Sequence, residues 1–510
     1  MNSLLMILSA ILLSGAFSSF NLDCLSWFAF VPLFFALEGK SKLQSFIISY
    51  ICGFLFFIIS MYWIFYVTGA GWIMLSLYQA IYFGIFGLVF NYFSKPYRYI
   101  ALPSAWVILE YMRAHFAGGI GWNLLGYSQY KNIPLIQIAD ITGVLGVSFL
   151  IILMNVAIYA VIKMAINCYR LDPRPRLKGN APFGEEFKNN PAIPTLSILI
   201  VFISVLIYGY KAAVIDNTAD KFKISVVQGS IPQEAKWDET FKRDIMARYQ
   251  ALSIQAAEDG GDLIVWPETA VPGYLYYDHE LSRWIKTVLE EIKTPLLAGA
   301  PIMADYDMDK SYNSAVLFSE EGKILERYDK LHLVMFGEYI PLEENFPILR
   351  KLFPISGNFI PGNEYTVFNI GQVKFSTLIC FEDIFPALVR KFVKNGADFV
   401  VNITNDAWFK ETAAAYQHAA CSVFRAVENR RPVVRAANTG LSCFIDKTGR
   451  IYEKVSENGK DLFIPGVKSA FISIESNKKY TFYTKYGDIF VLICIVMAGV
   501  CFAGKMFLTI

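Results

Sequence analysis

Apolar residues in this 510-residue chain are segregated, and that segregation restricts the possible folds more than any other feature. From Leu4 to about Gly209 one apolar run follows another with short polar turns between them, and a last run covers 489–510. The stretch between has ordinary globular composition. About 20 apolar residues cross a hydrocarbon core of ~30 Å. The runs near 4–20, 24–38, 44–67, 72–93, 99–115, 141–166, 194–210 and 489–509 therefore predict about eight transmembrane helices. The second is short for a full crossing and is expected to form a hairpin with the first. The first lacks a basic start and a clear cleavage site, so a retained helix is expected in place of a cleaved leader. The chain divides into a seven-helix part at 1–212, a domain at 213–488 and a final helix at 489–510.

Lys and Arg in the short loops set the orientation. With the N-terminus inside, the inner loops hold nine basic residues: Lys40, Lys42, Lys95, Arg98, Arg170, Arg174, Arg176, Lys178 and Lys188. The outer loops hold only Lys131. Both termini are then cytoplasmic and the 213–488 domain is extracytoplasmic. A balance of 46 basic to 44 acidic residues lacks the excess that a nucleic-acid surface needs. Eight Cys without a CxxC pair and four His without metal spacing predict no metal site, and no cofactor is expected.

Within 213–488, short β-branched runs alternate with helical ones. Phe222 to Gln228, Asp262 to Trp266, Leu296 to Ala300, Ser314 to Phe318, Lys323 to Tyr328, Val373 to Ile379 and Asp398 to Ile403 read as strands. Leu281 to Ile292 and Pro386 to Lys394 read as helices, so a layered α/β domain is expected. Such domains carry chemistry at strand ends. Cys380 ends an apolar strand before a turn, where a nucleophile would project into a cleft. Glu268 follows a strand end in Trp266-Pro267-Glu268 and suits a general base, while Lys330 follows another and suits an oxyanion partner. Glu338 is placed to accept a hydrogen bond from Lys330 and aim it. Each has an ordinary reading as well: a core cysteine, a helix-start acid and surface charges. The domain's three Cys, Cys380, Cys421 and Cys443, leave at least one unpaired within it, and pairing of Cys421 with Cys443 stays open.

Trp266-Pro267-Glu268, Lys330 to Glu338, and Cys380-Phe381-Glu382 resemble, in chain order, the Glu-Lys-Cys signature of the nitrilase (carbon–nitrogen hydrolase) superfamily. The segments 402–409 and 425–440 add to that likeness. The helical frame, Gln228, the string Gln233 to Trp237, Tyr312-Asn313-Ser314, Glu110 to Arg113 and Gly121 to Gln129 are similar to the apolipoprotein N-acyltransferase family. Met335 stands where many relatives have Pro, and Phe381 where some have Tyr.

The resemblance implies an α-β-β-α sandwich and an N-acyltransferase of the bacterial inner (plasma) membrane, with its catalytic domain periplasmic. It implies that Cys380 takes an acyl chain from the sn-1 position of a phospholipid as a thioester. Glu268 would be the base and Lys330 the oxyanion partner, and the α-amine of a diacylglyceryl cysteine on an apolipoprotein would receive the chain. Glu338, Glu382 and Phe381 would support the site, and Trp237, Asn313, Tyr339, Phe353 and Phe359 would contact substrate. A monomer is expected.

Both substrates keep their acyl chains in the bilayer, each buried CH₂ being worth about 0.8 kcal/mol. The apolar loops 274–277 and 346–360 are therefore candidate lips or lids of the cleft, or pack on the sandwich. Glu110 and Arg113, one helical turn apart near the outer end of a span, suit a site wall, a headgroup contact or an ion pair. Two other functions compete: a membrane-bound nitrilase-type amidase using water as acceptor, and a polytopic transporter or receptor.

Overall fold

The computed structural model describes residues 2–509 except 94–96, 117, 171–191, 215–219, 306–309, 342, 344, 347, 349, 351–357 and 476–478. The chain forms two compact units, Met1–Val214 with Tyr486–Ile510, and Ile215–Lys485.

In the first unit, five helices are long and apolar enough to cross a membrane: Lys42–Ser60, Gly69–Tyr92, Val144–Asn167, Ile193–Ala212 and Ile489–Phe507. The other three expected spans depart from that pattern. The first is a 15-residue helix, Asn2–Ala16. The second breaks into a 3₁₀ turn, Asp23–Trp27, and a short helix, Val31–Leu37. The break follows from the sequence, because Ser26 Oγ donates to Asp23 O within the turn and Pro32 favours a helix start. The fifth, Arg98–His115, is helical throughout but buries Glu110 and Arg113. Their side chains bond to backbone: Glu110 Oε1 accepts Leu125 N–H at 2.6 Å, and Arg113 donates to Trp122 O at 2.7 Å and Asn123 O at 3.2 Å. These two charges therefore hold the 120–125 loop. The helices Lys42–Ser60 and Gly69–Tyr92 approach closely at Gly87, where a Cβ would lie 2.4 Å from Ser45 O. The expected inner-loop residues Lys95, Arg174, Arg176, Lys178 and Lys188 lie outside the described residues.

The second unit contains two six-stranded sheets. The first orders β12-β1-β2-β3-β4-β5, with β1 Asp220–Gln228, β2 Leu263–Val265, β3 Leu296–Asp305, β4 Lys310–Phe318, β5 Ile324–Asp329 and β12 Gly466–Ile474. The second orders β11-β10-β9-β8-β7-β6, with β6 Phe368–Ile370, β7 Val373–Ile379, β8 Phe399–Thr404, β9 Val433–Ala437, β10 Cys443–Ile445 and β11 Ile451–Lys454. Each has a parallel trio, β1-β2-β3 or β7-β8-β9, flanked by antiparallel strands. Parallel strands covered on both faces must be apolar throughout, and all six residues of β8 are buried. The sheets meet face to face, with Phe222 of β1 5.9 Å from Phe399 of β8 between ring centroids.

Helices close the outer faces. His279–Ile292 buries Leu281, Trp284, Ile285, Val288, Leu289 and Ile292, an i, i+3, i+4 stripe. Each such side chain contributes about 1.5–3 kcal/mol when fully buried. Asp278 caps its start by accepting Glu280 N–H at 2.9 Å, and Lys293 ends it in a left-handed conformation. Helix Ala414–Asn429 lies behind the second sheet and is almost wholly buried. Cys421, on helix Ala414–Asn429, and Cys443, in β10, are both buried.

At Gly299 of β3, a Cβ would lie 2.4 Å from Pro267 O and 2.7 Å from Glu268 Cα. Both obstacles are backbone and cannot swing aside. Gly299→Ala is therefore expected to destabilise the protein by about 1–3 kcal/mol, read as a lower thermal midpoint. An unchanged midpoint would show that the strand end beside Glu268 is not held by this close approach.

Candidate active site

Three strand ends and one strand interior bring the candidate residues together. β2 ends at Val265, and Trp266 anchors the turn that follows: fully buried, it stacks on Trp284 and donates from Nε1 to Ser253 Oγ at 2.8 Å. Glu268 emerges beyond it and is 6% exposed. β5 ends at Asp329, and Lys330 comes next, its N–H donating to Asn313 O at 2.9 Å. β7 ends at Ile379, and Cys380 follows with φ +56°, in the left-handed region that side chains other than Gly seldom occupy.

Asn313, inside β4, joins the carboxylates. Its Nδ2 donates to Glu268 Oε1 at 2.7 Å and to Glu338 Oε1 at 3.2 Å. Its Oδ1 has no hydrogen-bond partner among the described residues. Lys330 Nζ donates to Glu338 Oε1 at 2.9 Å and lies 3.9 Å from Glu268 Oε1. It also sits over the ring of Phe381, 5.2 Å from the centroid. Glu338 is fixed in turn by Val334 N–H, at 2.8 Å from its second oxygen. Burial works against the Lys330 charge, but Glu338, then Cys380 and Glu268, outweigh it and hold the ammonium above its ordinary value. Burial pushes the Cys380 thiol well up, the Glu268 carboxylate adds to that, and Lys330 opposes it.

Glu382 is fully buried and ties two sheets to one point. Its carboxylate accepts Tyr328 O–H at 2.9 Å, Leu331 N–H at 2.8 Å and His332 N–H at 3.0 Å from the β5 side, and Ile379 N–H at 2.8 Å from β7. Burial raises its pKa to about 7, against the pull of Ile379 N–H and Lys330. His332, an unassigned residue of the apolar run, stacks on Phe385 at 4.5 Å.

The remaining expected positions are more peripheral. Trp237 is 49% exposed and, with Lys236, Tyr274, Tyr277 and Asp278, lines a cleft of about 500 Å³. Tyr339 and Phe359 are half-buried and make backbone contacts, Tyr339 O accepting Phe336 N–H at 2.8 Å and Phe359 N–H donating to Glu338 O at 3.3 Å. Phe353 lies outside the described residues. In the 274–277 loop, Leu275 packs inward while Tyr276 and Tyr277 are exposed.

Lys236 was not singled out from sequence, where its neighbour Trp237 drew the attention. It is the buried residue of an otherwise open turn, and its Nζ donates to Glu268 O at 3.0 Å and Thr269 Oγ1 at 2.9 Å. Thr269 has φ +46°, so the ammonium holds the strained turn behind Glu268. Burial lowers its pKa to about 8, against the attraction of Glu268 and Cys380. No group of His, Cys, Asp and Glu able to hold a metal occurs among the described residues. The arrangement offers a thiol on a strained turn, a carboxylate and a buried ammonium, a set suited to nucleophilic attack on a carbonyl.

Residues 9–157 match the family model of the apolipoprotein N-acyltransferase N-terminal domain, and residues 223–473 match that of carbon-nitrogen hydrolase. The apolipoprotein N-acyltransferase of Geobacter metallireducens is 37% identical over 98% of this chain and 94% of its own length. That of Chlorobaculum tepidum is 31% identical over 97% and 94%. Among solved structures, an amidase from Nesterenkonia sp. aligns with TM-score 0.39 and 18% identity, over 55% of this chain and 98% of its own.

An amide in place of the Glu382 carboxylate would set N–H donors against N–H and O–H donors. Each buried group left unsatisfied costs about 1–3 kcal/mol. Glu382→Gln is expected to lower the thermal midpoint of the full chain more than Glu338→Gln does, since Glu338 is partly open. Equal midpoints for the two variants would contradict the clamp.

Proposed function

The chain belongs to the apolipoprotein N-acyltransferase family, and from that premise we propose how its residues carry out acyl transfer. The observation that carries the reading is the convergence of Cys380, Glu268 and Lys330 at neighbouring strand ends, with Asn313 and Glu338 locking the two charged groups. The donor is a membrane phospholipid, and the acceptor is the α-amine of the diacylglyceryl cysteine that begins an apolipoprotein.

The resting thiol is neutral, because burial and the adjacent carboxylate oppose its ionisation. Glu268 takes the thiol proton as sulfur attacks the sn-1 ester carbonyl. The tetrahedral oxyanion forms beside the Lys330 ammonium, which Glu338 keeps charged and aimed. The carbon–oxygen bond breaks, Glu268 returns the proton to the departing glyceryl oxygen, and a lysophospholipid leaves. In the second half-reaction the uncharged amine attacks the thioester and Glu268 receives its proton. The carbon–sulfur bond then breaks, Glu268 passes that proton to the departing sulfur, the acyl chain stays on nitrogen, and the thiol is restored. Lys236 fixes the Glu268 turn through both halves. Water must be excluded while the thioester waits, and the exposed Trp237, Tyr276 and Tyr277 supply the apolar surface for that role. Phe359 is assigned to the same role.

Five helices long and apolar enough to cross a bilayer support an inner-membrane protein. All eight apolar segments are assigned to the membrane, with the short Val31–Leu37 helix forming a hairpin with the first. The nine-to-one bias in loop charge puts both termini in the cytoplasm and the catalytic unit in the periplasm. The protein acts as a monomer.

Incubating the purified full chain with phospholipid, quenching in acid and weighing the Cys380 peptide is expected to reveal one added acyl mass. Supplying a diacylated lipopeptide should discharge it onto the peptide amine. Discharge to water at the same rate without the lipopeptide would instead assign an amidase-type hydrolase, and no adduct would remove Cys380 from the mechanism.

A further inference from the structure

Beneath the Cys380 turn lies a buried cluster to which no role has been given above. It comprises His418 of helix Ala414–Asn429, Asp383 of the turn after β7, Asp406 of the turn after β8, and Arg435 of β9. His418 Nδ1 lies 2.9 Å from Asp406 Oδ1, while Nε2 lies 3.0 Å from Asp383 Oδ1 and 3.3 Å from Cys380 O. Carboxylates and carbonyls accept hydrogen bonds and do not donate, so both ring nitrogens must carry protons. A flipped ring would set C–H groups against the same oxygens. Burial alone would lower the pKa of His418, but Asp383 and then Asp406 outweigh both burial and the repulsion of Arg435, lifting it to about 9.

Charge is balanced within the cluster. Arg435 Nη1 donates to Asp383 Oδ2 at 2.8 Å, Ser422 Oγ at 2.8 Å and Asn402 Oδ1 at 2.9 Å, and its Nη2 lies 3.8 Å from Asp406 Oδ2. Arg425, on the same helix as His418, pairs with Glu428. Two carboxylates therefore face two cations only while His418 is protonated. Asn402 Nδ2 donates to Cys380 O at 2.9 Å, so this carbonyl is held from two sides at the residue whose backbone is strained. The Asp406 charge also reaches the Cys380 thiol, where it opposes ionisation.

We propose that His418 is a positioning residue for acyl transfer: as a standing imidazolium it grips the Cys380 carbonyl together with Asn402, and it cancels the Asp406 charge that would otherwise oppose the thiolate. The inference rests on Cys380 as nucleophile, and a reagent that alkylates the thiol directly separates the two ideas. In His418→Gln, iodoacetamide alkylation of Cys380 at about pH 8.5 should slow about tenfold, the equivalent of one pKa unit. His418→Gln with Asp406→Asn, which removes one charge of each sign, should recover most of that rate, and kcat should follow with KM for the donor little changed. A role in packing alone gives no such recovery, so equal loss in the single and double variants overturns the proposal, as does no loss in either.

A second reading needs no variant at His418. In the ¹⁵N-histidine-labelled full chain, with the other signals assigned through His115→Gln, His279→Gln and His332→Gln, His418 should show the imidazolium pattern at about pH 7.5. Because its folded pKa is raised, that pattern should disappear only as the pH climbs through about 9. A neutral His418 at about pH 7.5 overturns the proposal whether or not Cys380 proves to be the nucleophile.

Discussion

The Glu382 carboxylate is the contact on which the rest of the site depends. Lys330 leaves one sheet and Cys380 leaves the other, and neither strand end alone fixes their separation. Glu382 accepts hydrogen bonds from Tyr328, Leu331 and His332 on one side and from Ile379 on the other, so the two sheets are joined one residue from each reactive group. Four donors converging on one fully buried carboxylate leave little room for slippage. The clamp sits two residues beyond Cys380 in sequence, which makes the strained φ of Cys380 part of a closed ring of bonds.

Electrostatics divides the site into two layers. Near the cleft, Glu268 and Glu338 share the buried Lys330 ammonium, and Asn313 bridges the two carboxylates. Below the Cys380 turn, Asp383 and Asp406 are balanced by His418 and Arg435. A low dielectric strengthens any uncompensated charge in either layer. Under the proposed mechanism the thiol then stays protonated until a carbonyl carbon is in place, which suits a thioester that must meet an amine before water.

Much of this was legible in the sequence because period and position survive local reading. The strands β2, β5 and β7 are short apolar runs, and residues one to three positions past their ends are the ones brought together: Glu268, Lys330 and Cys380. Segregation of apolar runs predicted a helical part, yet five runs form long apolar helices and Asp23–Leu37 breaks, because a side-chain bond within the turn and a proline outweigh hydropathy there. Lys236, Asp406, His418 and Arg435 were not assigned. Their meaning lies in contacts between distant segments: His418 follows Cys380 by 38 residues and, on a helix buried nearly all round, reads as an ordinary core histidine. The only local hint was a cluster of charged residues inside otherwise apolar strands and helices.

The claim that orders the whole account is that the resting Cys380 thiol is neutral and loses its proton to Glu268 during attack. Thiolate absorbance near 240 nm, taken as the difference between the full chain and Cys380→Ala across a pH series, measures that directly. The account predicts no Cys380-dependent step below the ordinary thiol value of 9.0. A thiolate already present at neutral pH would contradict it, and would make Lys330 the source of a standing ion pair.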